Sequence, residues 1–196
     1  MNIKEYEKIK QLKYREYCEY LKKKYGPAKY DYFTEDYVKI QRVTRTSEGL
    51  ICHHVCEDKA IMLCNPEYAR NNPFEYQRAQ NLVYCDYLEH LLLHILICEN
   101  PAEDHNPYES VGVGGVVNFL VPELNDVYSG WKTSQKWREK CHSKIIDDQN
   151  TYLELIKRFK TNFPEFESRL YKSFNEKFGG WSEHNNEKIY EQIRGL

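Results

Sequence analysis

The stretch ICHHVCED at residues 51–58 places two adjacent histidines, His53 and His54, inside a short apolar run with a cysteine on either side. Neighbouring residues on a strand face opposite ways. The pair therefore reads either as one packed and one solvent-facing histidine or as two imidazoles with separate tasks. The flanking sequence decides between these.

Upstream, YVKIQRVTR at 37–45 is β-branched with basic residues interleaved, and TSEG at 46–49 is a turn signature before LICHHV. The pattern predicts a β-hairpin with His53 and His54 on its second arm. Residues 59–80 hold two prolines among polar residues and predict an irregular loop with one short helix. NLVYC at 81–85 is then an apolar entry into a helix from about Asp86 to Cys98. On that helix His90 and His94 stand one turn apart on one face, the spacing that lets two imidazoles reach one metal. Of seven histidines in the chain, four thus fall in two pairs on the hairpin and the helix after it.

Further out, residues 3–25 repeat apolar or aromatic residues at helical spacing, and Gly26-Pro27 ends that helix. Lys22, Lys23 and Lys24 fall in its last turn, where cations complement the helix dipole; phosphate contact is their other reading. Residues 111–131 carry Gly112, Gly114 and Gly115 but neither G-x-x-x-x-G-K-[ST] nor G-x-G-x-x-G between a strand and a helix. That region predicts a structural turn where backbones approach closely. Helical patterns follow at about 133–147, 149–160, 165–178 and 183–194, punctuated by Pro164 and Gly179-Gly180. There is no internal repeat and no low-complexity tract.

At 196 residues the chain suits one compact unit with helical extensions. Its net charge of −2 conceals an asymmetry of +5 for residues 1–46, −10 for 47–131 and +3 for 132–196. An acidic centre between basic flanks fits a metal-binding middle with polyanion-gripping ends, and equally a solvated surface. The seven cysteines (18, 52, 56, 64, 85, 98 and 141) are odd in number and form no C-x-x-C, which argues for reduced thiols over a disulfide framework. No apolar run reaches the roughly 18–20 residues of a membrane helix, and the lysine-rich start lacks the apolar stretch of a signal peptide, so no membrane association and a cytoplasmic location are expected.

A His-His pair, a loop, NLVYC and a helix carrying EHLLLH resemble together the HNH nucleases, the ββα-metal or His-Me finger group, over roughly residues 38–98. The resemblance implies an α+β fold with a central ββα-metal motif embedded in a mainly helical domain. It divides the chain into an N-terminal helical extension (1–37), the HNH core (38–98) and a helical C-terminal region (99–196). It further implies a metal-dependent endonuclease hydrolysing phosphodiester bonds in DNA, with one divalent ion (Mg, Mn, Ni or Zn). Carried over by position, His53 is a metal ligand, His54 the general base and Asn81 the residue that holds the His54 imidazole or its loop in the working orientation, while His90 is the second ligand and His94 completes the metal shell, or with magnesium stands behind it. Lys39, Arg42 and Arg45 would contact DNA phosphates. The stretch between His54 and Asn81 is longer than in compact members, an insertion that slow growth of closure entropy tolerates.

Chemistry is consistent with these roles: a neutral imidazole accepts the proton of an attacking water near neutral pH, and a divalent cation stabilises charge on the phosphoryl oxygens. Glu57, Asp58, Asp86 and Glu89 near the motif are solvated charges or partners that orient a histidine. A zinc site of Cys52 and Cys56 with His90 and His94 competes, since the two cysteines share strand parity. The rival functional class is a non-catalytic, metal-braced DNA- or protein-binding module, a regulator or inhibitor of the kind mobile elements encode. The C-terminal helices are the candidate surface for a homodimer or a protein partner.

Overall fold

The computed structural model describes residues 1–174 and 187–196. The chain opens with α1 (Ile3–Ile9) and α2 (Tyr14–Tyr25), where the sequence pattern predicts one helix. The break arises because each segment has its own N-terminal cap. Asn2 Oδ1 accepts from Glu5 N (3.0 Å) and Glu16 Oε2 from Lys13 N (2.8 Å), satisfying donors that a helix start leaves open. Gly26, at φ +83°, closes α2 as expected. Lys24 is tied into an ion pair with Glu5 and another with Glu89 (2.7 Å), and Lys22 pairs with Glu19 (2.8 Å), so two of the three lysines serve packing contacts.

The expected hairpin is replaced by a different pairing. Residues Gln41–Thr44 form a single helical turn, α3, whose Thr44 hydroxyl donates back to the Gln41 carbonyl (2.9 Å). The 46–49 turn does reverse the chain, with Thr46 N bonded to Leu50 O (2.9 Å) and Gly49 at φ +80°. Beyond that turn the two sides share the isolated bridge Arg45–Ile51 and no ladder. Strand β1 (Ile51–His54) instead pairs antiparallel with β2 (Leu82–Cys85), in the register His53 opposite Val83 and His54 opposite Leu82. The apolar NLVYC run, read from sequence as the entry to a helix, supplies the β-branched and aromatic residues that a buried strand requires.

Between the strands lie a 3-10 helix at Val55–Asp58, the short α4 (Pro66–Ala69) and 3-10 turns at Phe74–Gln77 and Ala79–Asn81. Helix α5 (Tyr87–Glu99) starts where predicted, with Asp86 as N-cap and Glu89 bonding back to the Asp86 amide (2.8 Å). After α5 the 111–131 region makes its turn at Gly112 (φ +82°), passes through a π-helical segment, Gly115–Leu120, and continues as α6 (Val121–Tyr128). Helices α7 (Lys136–Ser143), α8 (Gln149–Asn162) and α9 (Glu187–Arg194) follow, with a 3-10 stretch at Pro164–Arg169 in place of the start of the helix expected at 165–178. The rest of that expectation beyond residue 174, the start of the last helix and the Gly179-Gly180 break lie outside the described residues.

The architecture is therefore α+β in its coarse form, helical with a small two-stranded antiparallel sheet. Helix α5 is apolar all round, with Leu91, Leu92, Leu93 and Ile95 fully buried, the signature of a helix at the centre of a core. Around it pack α2, the π-helical segment and α8. One buried cluster joins Tyr17 and Leu21 of α2, Val83 of β2, Val116 and Val117, Phe159 of α8 and Ile193 of α9. The three stretches distinguished in the sequence thus share a core. No helix among the described residues is long and apolar enough to cross a membrane.

Candidate metal centre

Strand alternation sends His53 and His54 to opposite faces of β1. His53 faces α5, whose His90 and His94 lie one turn apart. The chain leaves β1 directly into the 3-10 helix Val55–Asp58, which brings Glu57 back beside His53. That tight turn is clamped from α2, where Arg15 grips Asp58 with two parallel bonds (2.9 and 2.7 Å).

Four donor atoms converge as a result. His90 Nε2 lies 3.0 Å from His53 Nδ1 and 3.1 Å from His94 Nε2; Glu57 Oε2 lies 3.3 Å from His94 Nε2 and 3.5 Å from His53 Nδ1. All four groups lie within 4.8 Å of one another. A tetrahedral ion with ligand bonds of about 2.0–2.1 Å separates its donors by about 3.3 Å. Four of the six donor–donor separations bracket that value and the others stay within 4.8 Å, so a small adjustment of the side chains would seat a metal ion.

The surrounding hydrogen bonds assign the ring nitrogens. The Tyr14 hydroxyl donates to the Val55 carbonyl (3.0 Å), leaving its oxygen to accept from His53 Nε2–H (2.9 Å). His53 Nδ1 therefore turns a lone pair towards the cluster. His90 Nε2 then stands between two imidazole nitrogens and can serve only one of them with its single proton or lone pair. A cation at the centre satisfies all three rings at once. His94 is held from behind by the glycine turn: a Cβ on Gly115 would stand 2.6 Å from His94 Cγ and nearer still to Cε1 and Nδ1, and one on Gly112 would stand 2.8 Å from the His94 carbonyl oxygen. The close backbone approach expected of this glycine-rich stretch is thus what seats a ligand.

Burial sets the protonation states. Removal from water lowers His53 and His90 well below the usual histidine range and His94 to about 4, with the neighbouring imidazoles adding repulsion at His53 and His90. At neutral pH all three rings are neutral and able to donate lone pairs. The Glu57 carboxyl is pushed up to about 8 by the same burial. Among the described residues no lysine or arginine pairs with it. Without a counter-cation Glu57 is therefore mostly protonated at neutral pH; three imidazole lone pairs and a carboxyl that a cation would ionise form a donor set suited to a positive ion.

On the other face of β1, His54 is buried against Tyr32, ring centroids 4.4 Å apart, and lowered to about 4 by desolvation. Gln77 Nε2 donates to the Leu63 carbonyl (3.3 Å), which leaves Gln77 Oε1 to accept from His54 Nε2–H (3.0 Å). His54 Nδ1 accordingly carries a lone pair, and it faces Glu57 Oε1 at 3.8 Å.

Of the residues singled out from sequence, His53, His90 and His94 come together, and His54 stands beside them, separated by Glu57. Of the two tasks expected of Asn81, the bond to the His54 imidazole is made by Gln77, and Asn81 bonds within the loop. Asn81 Nδ2 donates to the Glu75 carbonyl (2.8 Å), because the 3-10 turn Ala79–Asn81 directs it into the loop. Cys52 and Cys56 do not join the cluster. Cys52 lies on the His54 side of β1 against the Phe33 cluster, and Cys56 packs with Leu63. Of the four acidic candidates only Glu57 faces the histidines; Asp58 is bound to Arg15, Asp86 caps α5, and Glu89 holds that cap as well as Lys24 and Tyr25. Lys39, Arg42 and Arg45 have no ion pair among the described residues. They lie over aromatic rings, Arg42 3.5 Å from the Tyr30 centroid, Arg45 4.0 Å from Trp137 and Lys39 5.3 Å from Tyr32. Sequence reading missed Tyr14 and Gln77 and gave Glu57 only an orienting role. The signal for Glu57 was the same four-residue offset from His53 that links His90 to His94.

No family model, curated protein or solved structure matches the chain.

Proposed function

We propose that the protein is a metal-dependent phosphodiesterase of the HNH type acting on DNA, with the ion held by His53, Glu57, His90 and His94. The convergence of these four donors on a strand–strand–helix frame, with the free Nδ1 of His54 on their Glu57 side, carries the reading. Three imidazoles and one carboxylate favour a transition ion such as zinc or nickel over magnesium, which prefers oxygen ligands. The bound ion would supply charge stabilisation on the scissile phosphate. His54, oriented by Gln77, accepts the proton of the attacking water at Nδ1. Tyr14 fixes the His53 ring. Lys39, Arg42 and Arg45, without acidic partners among the described residues, bind the phosphate backbone.

A second reading rests on the burial of His54, which is 1% exposed. In it the ion only braces β1 and the following turn against α5, and the protein is a DNA- or protein-binding module without turnover. Nicking of supercoiled plasmid distinguishes the two. After EDTA treatment and addition of zinc, nickel, manganese or magnesium, the nuclease nicks, and His54→Ala abolishes nicking while keeping one equivalent of metal. Metal retention without nicking in the unaltered protein refutes the nuclease reading and leaves the brace.

A further inference from the structure

Glu57 occupies a position that none of the three histidines shares. Its Oε2 is the fourth donor of the cluster, while its Oε1 lies 3.8 Å from the free Nδ1 of His54. The carboxylate thus spans the gap between the metal position and the nitrogen proposed to take the proton. Resting on the reading above, we propose that Glu57 is an exchangeable ligand that holds the place of the substrate's phosphoryl group, and that an oxyanion entering the centre displaces it.

Three observations single out this ligand as the one that leaves. The histidines stand on regular elements, β1 and α5, whereas Glu57 stands on a four-residue 3-10 helix. Its edges to the rings, 3.3 and 3.5 Å, are longer than the 3.0 and 3.1 Å between imidazole nitrogens. Its side chain is 13% exposed against 0% for His53 and 9% for His94, so with the partly exposed His90 it borders the side of the cluster nearest solvent. A carboxylate and a phosphodiester both present two anionic oxygens on one centre, so one can take over the other's contacts with a cation. With Glu57 in place a bound ion would have four protein ligands, as in a structural site; with Glu57 withdrawn it would keep three imidazoles and one open position, the donor set of catalytic zinc.

The test uses the full chain loaded with cobalt(II), whose visible absorption reports coordination, and inorganic phosphate as the probe. Metal content is measured first in the unaltered protein, Glu57→Ala and the isosteric Glu57→Gln, the last guarding against a folding defect in the alanine variant. The expected result is one equivalent of cobalt in each, an affinity for the ion 10–100-fold lower in the variants, and phosphate binding at least 10-fold tighter in Glu57→Ala, seen as a change in the cobalt spectrum. Identical spectra and identical phosphate affinity in all three proteins, each with one equivalent bound, overturn the exchange while leaving the metal centre standing. Failure of the unaltered protein to bind cobalt overturns both.

Discussion

Gly115→Ala is the sharpest test of how the centre is held. The position begins the π-helical segment with no positive φ, so alanine in open space would stabilise by up to about 1 kcal/mol. The space is not open. A Cβ there would lie 2.6 Å from His94 Cγ, against an ordinary carbon–carbon separation of about 3.5–4.0 Å. The imidazole must retreat by roughly 1 Å or the segment must move away from α5, and either costs about 1–3 kcal/mol as overpacking. Retreat also draws Nε2 off its vertex, where the His90 and Glu57 edges are 3.1 and 3.3 Å. Loss of ligand orientation of this kind weakens metal binding about 10–100-fold, or about 1.4–2.8 kcal/mol. Competition with a chromophoric chelator measures the first effect. Thermal melting of EDTA-treated protein measures the second, with an expected fall in Tm of about 2–8 °C. A variant with unchanged metal affinity and a raised Tm would refute the claim that Gly115 exists to seat His94.

Two further outcomes follow from the same geometry. Tyr14→Phe removes the acceptor of His53 Nε2–H and the donor to Val55 O, so the ring loses its fixed tautomer; metal affinity should fall about 10-fold, measured by the same competition, with the fold retained by circular dichroism. The metal-free protein should also show an opposed pH dependence. His54 and His94, lowered from 6.5 to about 4, bind more protons unfolded than folded in that interval, so their contribution is present above pH 6.5 and lost as pH falls towards 4. Glu57, raised from 4.5 to about 8, contributes fully below pH 4.5 and loses that contribution as pH rises through 8. Urea unfolding of EDTA-treated protein should therefore show stability falling on the acid side of pH 6.5 and again towards pH 8, each histidine worth on the order of 1 kcal/mol per pH unit. A flat profile from pH 5 to 8 would contradict the buried, cation-free donor set.

The parts of the site legible in the sequence are those encoded locally. His90 and His94 are one turn apart on an apolar helix with its own capping residues, so the helix, its face and its start could all be read from periodicity. The pairing of β1 was not local. YVKIQRVTR has the composition of a strand, but Gln41–Thr44 turns into a helix and only Arg45 bridges β1, whose ladder is made on its other edge by Leu82–Cys85, across a loop whose length says nothing of register. The same non-locality hid the supporting residues. Tyr14 reaches His53 only because α1 and α2 break apart at Lys10–Lys13, and Gln77 displaces Asn81 because two successive 3-10 turns decide which amide points inward. Glu57 needed the geometry of a single tight turn after the strand.

Stability and chemistry pull in opposite directions around α5. A helix with Leu91, Leu92, Leu93 and Ile95 fully buried would be a sufficient core element if His94 were leucine, and a buried imidazole beside a buried carboxylate is costly without a cation. The surrounding structure repeats that cost. Gly115 forgoes a side chain to make room for the His94 ring, Gly112 lets the turn lie against the α5 backbone at His94 and Cys98, and Tyr14 is spent on one ring nitrogen of His53. Arg15 and Asp58 hold the turn that carries Glu57, although Arg15 is half exposed and a pair of that kind contributes about 1 kcal/mol at most. None of these devices improves packing on its own account; each places a donor atom. Places where local folding preferences are overridden in concert mark function. Here the overridden residues come from α2, β1, the 3-10 turn, α5 and the glycine turn, and they meet at one point.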